Sequence, residues 1–226
     1  MPDDLAEQAS SVAALADPVR RALYRHVAGR PDAVSREQVS AVCEVPLHSV
    51  KFHLDRLVDA GLLEVEFRRL SGRTGPGAGR PSKLYRRSAR QVTVSLPDRR
   101  YDLVGEILAE AVDRSTRDAT PVAEVVAEVA EETGRRIGAD ELAASRDAGL
   151  ADVCRVLARR GFEPQPEAGE LCLTNCPFDR LATAHTDLVC GLNLALVGGI
   201  LSAVPAPGLR ARLAPTPGYC CVRVSD

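Results

Sequence analysis

Residues 35–61 constrain the chain more than any other stretch, because two helical patterns meet there across only three residues, Glu44-Val45-Pro46. Ser35 is followed three positions on by Gln38, the spacing of a capping box, and the helix it opens ends near Cys43. The next helix covers residues 47–60 and stops at Gly61; Leu47, Val50, Leu54, Leu57 and Val58 form its apolar face. Upstream, Asp17-Pro18 opens another helix, in which Val19, Leu23 and Val27 repeat before Gly29 closes it. Short helices joined by so tight a turn read as a helix-turn-helix. Leu63, Val65 and Phe67 then alternate with Glu64, Glu66 and Arg68, which predicts a strand. Residues 71–82 form a loop rich in Gly, Pro and Arg, and Leu84 and Tyr85 lead a strand back, so the hairpin is a wing beside the last helix.

Charge gives this arrangement a partner. The chain is nearly neutral, with a formal net charge of -2. Yet residues 67–90 carry Arg68, Arg69, Arg73, Arg80, Lys83, Arg86, Arg87 and Arg90 and no acidic residue, so the rest of the chain is strongly acidic. A basic hairpin directly after a helix-turn-helix predicts double-stranded DNA as the partner, since cationic side chains displace its condensed counterions. A solvated loop or a localisation signal is the plainer reading of a basic run, and its position argues against it. On the third helix the apolar face leaves His48, Ser49, Lys51, Phe52 and Arg56 pointing away, types that read base edges or hold phosphates. From the wing, Arg73, Arg80, Lys83 and Arg86 are expected at phosphates or in the minor groove.

Further on, residues 97–114 predict an amphipathic helix whose apolar stripe (Tyr101, Val104, Ile107, Leu108, Ala111, Val112) is broad enough for a dimer interface, packing within the chain being the alternative. Thr120-Pro121 opens another helix, and residues 148–160 form one closed by Gly161. Residues 188–204 are the most apolar run, 17 long, with Asn193 and Gly198-Gly199 inside it. A bilayer span needs about 20 apolar residues, so this reads as a buried helix. The acidic start, Met1-Pro2-Asp3-Asp4, does not look like a secretory leader, and a cytoplasmic location is expected, with no membrane partner.

Five of the seven cysteines, Cys172, Cys176, Cys190, Cys220 and Cys221, lie in the last 55 residues. In a reducing compartment such clustering points to metal or redox chemistry and away from a disulfide frame. Pro177 marks a helix first turn, which sets Cys176 at its cap; Thr186 or Asp187 caps the next helix, which sets Cys190 near its first turn. The positive end of a helix favours thiolate, the ligand form. Cys220 shares strand parity with Val222 and Val224 and should face the core, with Cys221 facing out, so that only one of the pair readily reaches a given site. Cys172 and Cys176 would be about 13 Å apart in an extended strand, which ranks Cys172 below the other three. His185 is a reserve ligand. Isolated Cys43 and Cys154 read as small buried apolar residues.

Residues 14–23, Ala-Leu-Ala-Asp-Pro-Val-Arg-Arg-Ala-Leu, resemble the first helix of ArsR/SmtB-type winged-helix repressors, as do Val50-Lys51-Phe52-His53-Leu54-Asp55-Arg56-Leu57 and Ala60-Gly61-Leu62. Gly79-Arg80-Pro81-Ser82-Lys83-Leu84-Tyr85 is similar to the wing of the SufR-type branch, iron–sulfur-sensing repressors of cluster-assembly operons. The pattern Asn175-Cys176-Pro177-Phe178, His185, Cys190-Gly191-Leu192-Asn193 and Pro217-Gly218-Tyr219-Cys220-Cys221 is similar to theirs too. The resemblance implies that Cys176, Cys190 and Cys220 bind an iron–sulfur cluster, 4Fe-4S or 2Fe-2S, that controls repression. Some relatives have a further cysteine near the place of Ala203, Val204 and Pro205. Its absence leaves the fourth ligand open among His185, Cys172, Cys221, a small molecule or none.

The sequence thus predicts a mainly α protein with an α+β C-terminal domain. A winged helix-turn-helix occupies residues 1–92; residues 93–226 hold central dimerisation helices and a small α+β cysteine-rich sensor. The expected function is that of a homodimeric, DNA-binding transcriptional regulator, a repressor by resemblance, on an inverted-repeat operator. The alternatives are a zinc or small-molecule sensor with structural cysteines and, remotely, a thiol enzyme. The enzyme is disfavoured because only His185 lies near a nucleophile candidate in sequence.

Overall fold

The computed structural model describes residues 4–69, 81–142, 149–167, 169–204 and 208–225. The chain divides into two compact units, Met1–Val94 and Ser95–Asp226.

The first unit begins with α1 (Asp4–Ala13), a helix that the sequence pattern did not predict. In α2 (Pro18–Ala28), the Asp17 carboxylate accepts from the Arg20 amide at 2.8 Å, and Pro18 takes the first helical position. A two-residue strand, β1 (Val34–Ser35), leads into α3 (Arg36–Cys43), where Ser35 and Gln38 form the expected reciprocal capping box. Glu44 then takes a left-handed conformation, φ 55°, and turns the chain into α4 (Leu47–Asp59). The strands β2 (Leu63–Arg68) and β3 (Ser82–Arg87) pair antiparallel, and β1 adds to β3, giving the order β1-β3-β2. Leu23, Val27, Val39, Val50, Leu54, Leu57, Leu63 and Tyr85 share one core.

Five expected apolar positions come out differently, among them Val19, which is exposed, and Val65, which is half-buried. Leu47 is exposed at the start of α4, ahead of the turn where the helix meets its neighbours. Val58 is only half-buried. Phe67 is exposed, because burial fades along β2 from Leu63 outward. Leu84 and Tyr85, adjacent on β3, are both buried, since β3 is the central strand.

The second unit holds α5 (Tyr101–Asp118), α6 (Val122–Leu142), α7 (Leu150–Arg159), β4 (Pro164–Glu167), β5 (Glu170–Leu173), α8 (Asp179–Ala184), α9 (Thr186–Ser202), β6 (Arg210–Leu213) and β7 (Val222–Ser225). The four strands form an antiparallel sheet in the order β4-β5-β7-β6. One core joins helices and sheet, so the central helices and the cysteine-bearing region are a single packed body. The stripe of α5 expected to meet a second copy is divided. Val104, Ile107 and Ala111 are buried in this core, while Tyr101 and Val112 remain exposed.

The tightest approach in this unit is between α6 and α9. A Cβ placed on Gly134 would overlap the Leu196 carbonyl, one on Gly138 would press on Ile200 and Ala203, and one on Gly199 would overlap the Glu131 carbonyl. Glycine at these points lets the two backbones touch, and that closeness fixes α9, which carries Cys190 and Asn193. No helix among the described residues is long and apolar enough to cross a membrane.

Candidate DNA-binding face and thiol cluster

Burial of Val50, Leu54 and Leu57 turns the opposite side of α4 outward. His48, Lys51, Phe52 and Arg56 are exposed there and Ser49 is half-buried. Phe52 packs edge-on against the His53 ring. An exposed apolar ring on a helix rich in polar side chains suits contact with a thymine methyl. Arg56 lies to one side, near Arg20 and Asp59 in a groove against α1. Arg73 and Arg80 lie outside the described residues.

The hairpin is less uniformly free than its sequence suggests. Lys83 donates to Asp55 on α4 at 2.6 Å, Arg86 pairs with Glu64 at 2.9 Å, Arg68 with Glu66 at 3.6 Å and Arg90 with Glu7 at 2.9 Å. The pairing acids all lie outside residues 67–90: Glu64 and Glu66 on β2, Asp55 on α4 and Glu7 on α1. Arg69 and Arg87 are exposed and have no acidic partner among the described residues.

Asp55 was not among the expected site residues, and it ties α4 to the wing. The Tyr85 hydroxyl also donates to it, at 3.1 Å, and the Lys83 ammonium sits 5.0 Å from the centre of the Tyr85 ring. Burial pushes the Asp55 carboxyl up, but the hydrogen bond and charge of Lys83 outweigh it and hold the carboxyl below its ordinary 3.8. A carboxylate with a lowered folded pKa contributes stability above its unfolded value and loses it as pH falls through the folded one. Wild-type protein should therefore lose more stability than Asp55→Asn between about pH 6 and about pH 3 in urea titrations. Both partners are more than a third exposed, so screening keeps the difference to about 1 kcal/mol or less. Equal losses would detach Asp55 from the wing.

In the second unit, three separate segments bring thiols together. Cys176 follows β5, Cys190 is on α9, and Cys220-Cys221 precede β7. Cys176 contacts Cys220, Cys220 contacts Cys221, and Cys221 contacts Cys190. The four sulfurs thus form a row of neighbours; among the described residues no three Cys, His, Asp or Glu side chains stand as a ready-made single-ion site. Cys220 is buried and Cys221 half-buried, as strand parity suggests. Both nevertheless reach the row, because β7 begins only at Val222 and the pair lies in irregular chain. Cys172 is buried elsewhere, beside Glu167, Glu170 and Arg223. His185 is exposed at the junction of α8 and α9.

Contrary to the sequence expectation, neither Cys176 nor Cys190 sits at a helix N-terminus. Pro177 precedes the helix: α8 starts at Asp179 with Phe178 as its cap, three residues past Cys176. Cys190 is the fifth residue of α9, beyond its first turn, and Thr186 bonds back to the Ala182 carbonyl at 2.8 Å. At three of these thiols the thiolate is disfavoured. Contact with Cys220 and burial push Cys176 up, and burial pushes Cys190 up. Contact with Cys176 favours the Cys220 thiolate, but contact with Cys221 and burial outweigh it, and Cys220 is pushed up to about 11.

The loop before α8 is held from outside the row. Asn175 donates to the carbonyls of Asp98 at 2.9 Å and Gly161 at 2.5 Å and accepts from Arg99, which also donates to the Cys176 carbonyl at 3.0 Å. Cys220 is fixed by its amide, which donates to the Leu173 carbonyl at 2.8 Å. From α9, Asn193 donates its amide to Cys220 Sγ at 3.1 Å. Its own Oδ1 is buried with no hydrogen-bond partner among the described residues.

A family model described as a helix-turn-helix domain matches residues 15–66, which run from before α2 into β2. The first unit carries a helix-turn-helix domain. Such a domain is the mark of a DNA-binding regulator of transcription. No curated protein matches the chain, and no solved structure does.

Proposed function

We propose that this helix-turn-helix protein is a sequence-specific transcriptional regulator, a repressor, whose second unit holds an iron–sulfur cluster that governs DNA binding. It would act as a homodimer on an inverted repeat, with one α4 in each of two successive major grooves, about one helical turn apart. The outward residues of α5, Tyr101 and Val112, offer apolar surface to a second copy.

The observation that carries the sensing half is the convergence of Cys176, Cys190, Cys220 and Cys221 from three segments. The donor set fits the group. Thiolates are the usual cluster ligands, and an amide N–H on a ligand sulfur is the usual way a protein tunes one. In this reading Cys176, Cys190 and Cys220 hold the cluster, and Cys221, already in the row, is favoured over Cys172 and His185 as the fourth ligand. When bound, the cluster would supply a redox- and oxygen-sensitive group, held by Cys190 of α9, Cys176 before α8 and Cys220 before β7. The protein's part is to fix those loops, through Arg99, Asn175 and the close α6–α9 packing. The similarity to the SufR-type branch supports the same assignment.

Anaerobic purification with iron and acid-labile sulfide analysis tests the reading. Visible colour with iron and sulfide in comparable amounts is the expected result. Colourless protein containing zinc would replace the cluster with a zinc site, since thiolates suit both.

A further inference from the structure

Asn193 is the one fully buried side chain of α9 that is not apolar, with Val189, Leu192, Leu196 and Val197 buried around it. Its amide reaches Cys220 Sγ at 3.1 Å, and its carbonyl oxygen has no hydrogen-bond partner among the described residues. A leucine, with the same branching and the same number of side-chain heavy atoms, would leave no orphaned acceptor, so burial alone does not account for an amide here. The sulfur it addresses does. A protonated thiol is a weak acceptor, whereas a metal-bound thiolate is anionic, and hydrogen bonds to an ionised acceptor in an apolar setting are the strong ones. Asn193 also sits three residues past Cys190 on the same helix, so it shares the face that presents the thiol.

We propose that Asn193 is a positioning residue for the cluster: its amide donates to the Cys220 thiolate, raises the reduction potential of the cluster and slows its loss. This rests on the cluster reading above. The potential rises because a donor to a ligand sulfur stabilises the more negative, reduced state. The amide keeps its proton throughout; only the strength of the hydrogen bond changes with the charge on sulfur.

Asn193→Leu tests this in the full-length protein. The cluster-free variant should melt close to wild type, because removal of an unsatisfied group offsets the larger leucine side chain. After anaerobic reconstitution with iron and sulfide it should take up the wild-type amounts. Its midpoint potential should be more negative, and an iron chelator should bleach it faster. Asn193→Ser, which keeps a hydroxyl donor, should fall between the two and serves if the leucine variant does not fold. A potential and bleaching rate equal to wild type, at equal iron and sulfide, would overturn the role of Asn193 while leaving the cluster in place. Wild-type protein that takes up no iron and sulfide would remove the cluster reading, and this proposal with it.

Discussion

Gly199→Ala should destabilise the second unit, whereas Gly198→Ala, one residue earlier on the same helix, should stabilise it. In an isolated helix either change gains about 1 kcal/mol, because alanine loses less backbone freedom on folding. The surroundings decide the sign. At Gly198 an added Cβ meets nothing within 4 Å. At Gly199 it would overlap the Glu131 carbonyl and stand 2.9 Å from the Arg135 amide, both on the backbone of α6. No rotamer relieves a Cβ clash with backbone, so α6 and α9 must separate. Overpacking of this kind costs about 1–3 kcal/mol or more. Separation also loosens the core around Val197 and Ile200, and with it the seat of Cys190 and Asn193. Thermal unfolding followed by circular dichroism checks both variants; equal shifts of one sign would mean that the helices do not approach so closely.

Cys220→Ser should abolish the visible chromophore of anaerobically prepared protein, while Cys172→Ser should leave it unchanged. Cys220 is buried within the thiol row, touching Cys176 and Cys221 and receiving the Asn193 amide. Cys172, only four residues before Cys176, sits among Glu167, Glu170 and Arg223 instead. Residual iron and sulfide in Cys220→Ser equal to wild type would strike Cys220 from the ligands. Loss of colour in Cys172→Ser with an unchanged melting temperature would restore Cys172 to the set.

Local rules carried far in the first unit. The Asp17 cap, the Ser35–Gln38 box, the turn before α4 and the outward set on α4 all follow from spacing within a few residues, and they form as that spacing dictates. What stayed hidden is long-range. The Asp55–Lys83 bond joins positions 28 apart, and sequence offers no sign that this aspartate, among many acids, faces the wing. In the second unit the chain's apolar runs indicated the helices, but the α5 stripe could not tell an interface from a core. Burial of Val104 and Ile107 against α6 depends on how several elements assemble. Strand parity put Cys220 inside and Cys221 facing out; Cys220 is buried, but Cys221 is half-buried beside Cys190 and Cys220, because parity holds only where a strand exists. Asn193 stands out in the sequence as a lone amide in the apolar stretch of residues 188–204. Its partner, 27 residues away, could not.

The central claim is that α4 and the wing hold duplex DNA. A mobility-shift titration of the full-length protein with fragments from its own promoter region, starting at low ionic strength, tests it most directly. Retention should weaken steeply as salt rises, and replacing Lys51 and Arg87 with alanine should flatten that dependence by about 0.9 in logarithmic slope for each phosphate no longer neutralised. Absence of any retained complex at low salt, in cluster-free and reconstituted protein alike, would contradict the account.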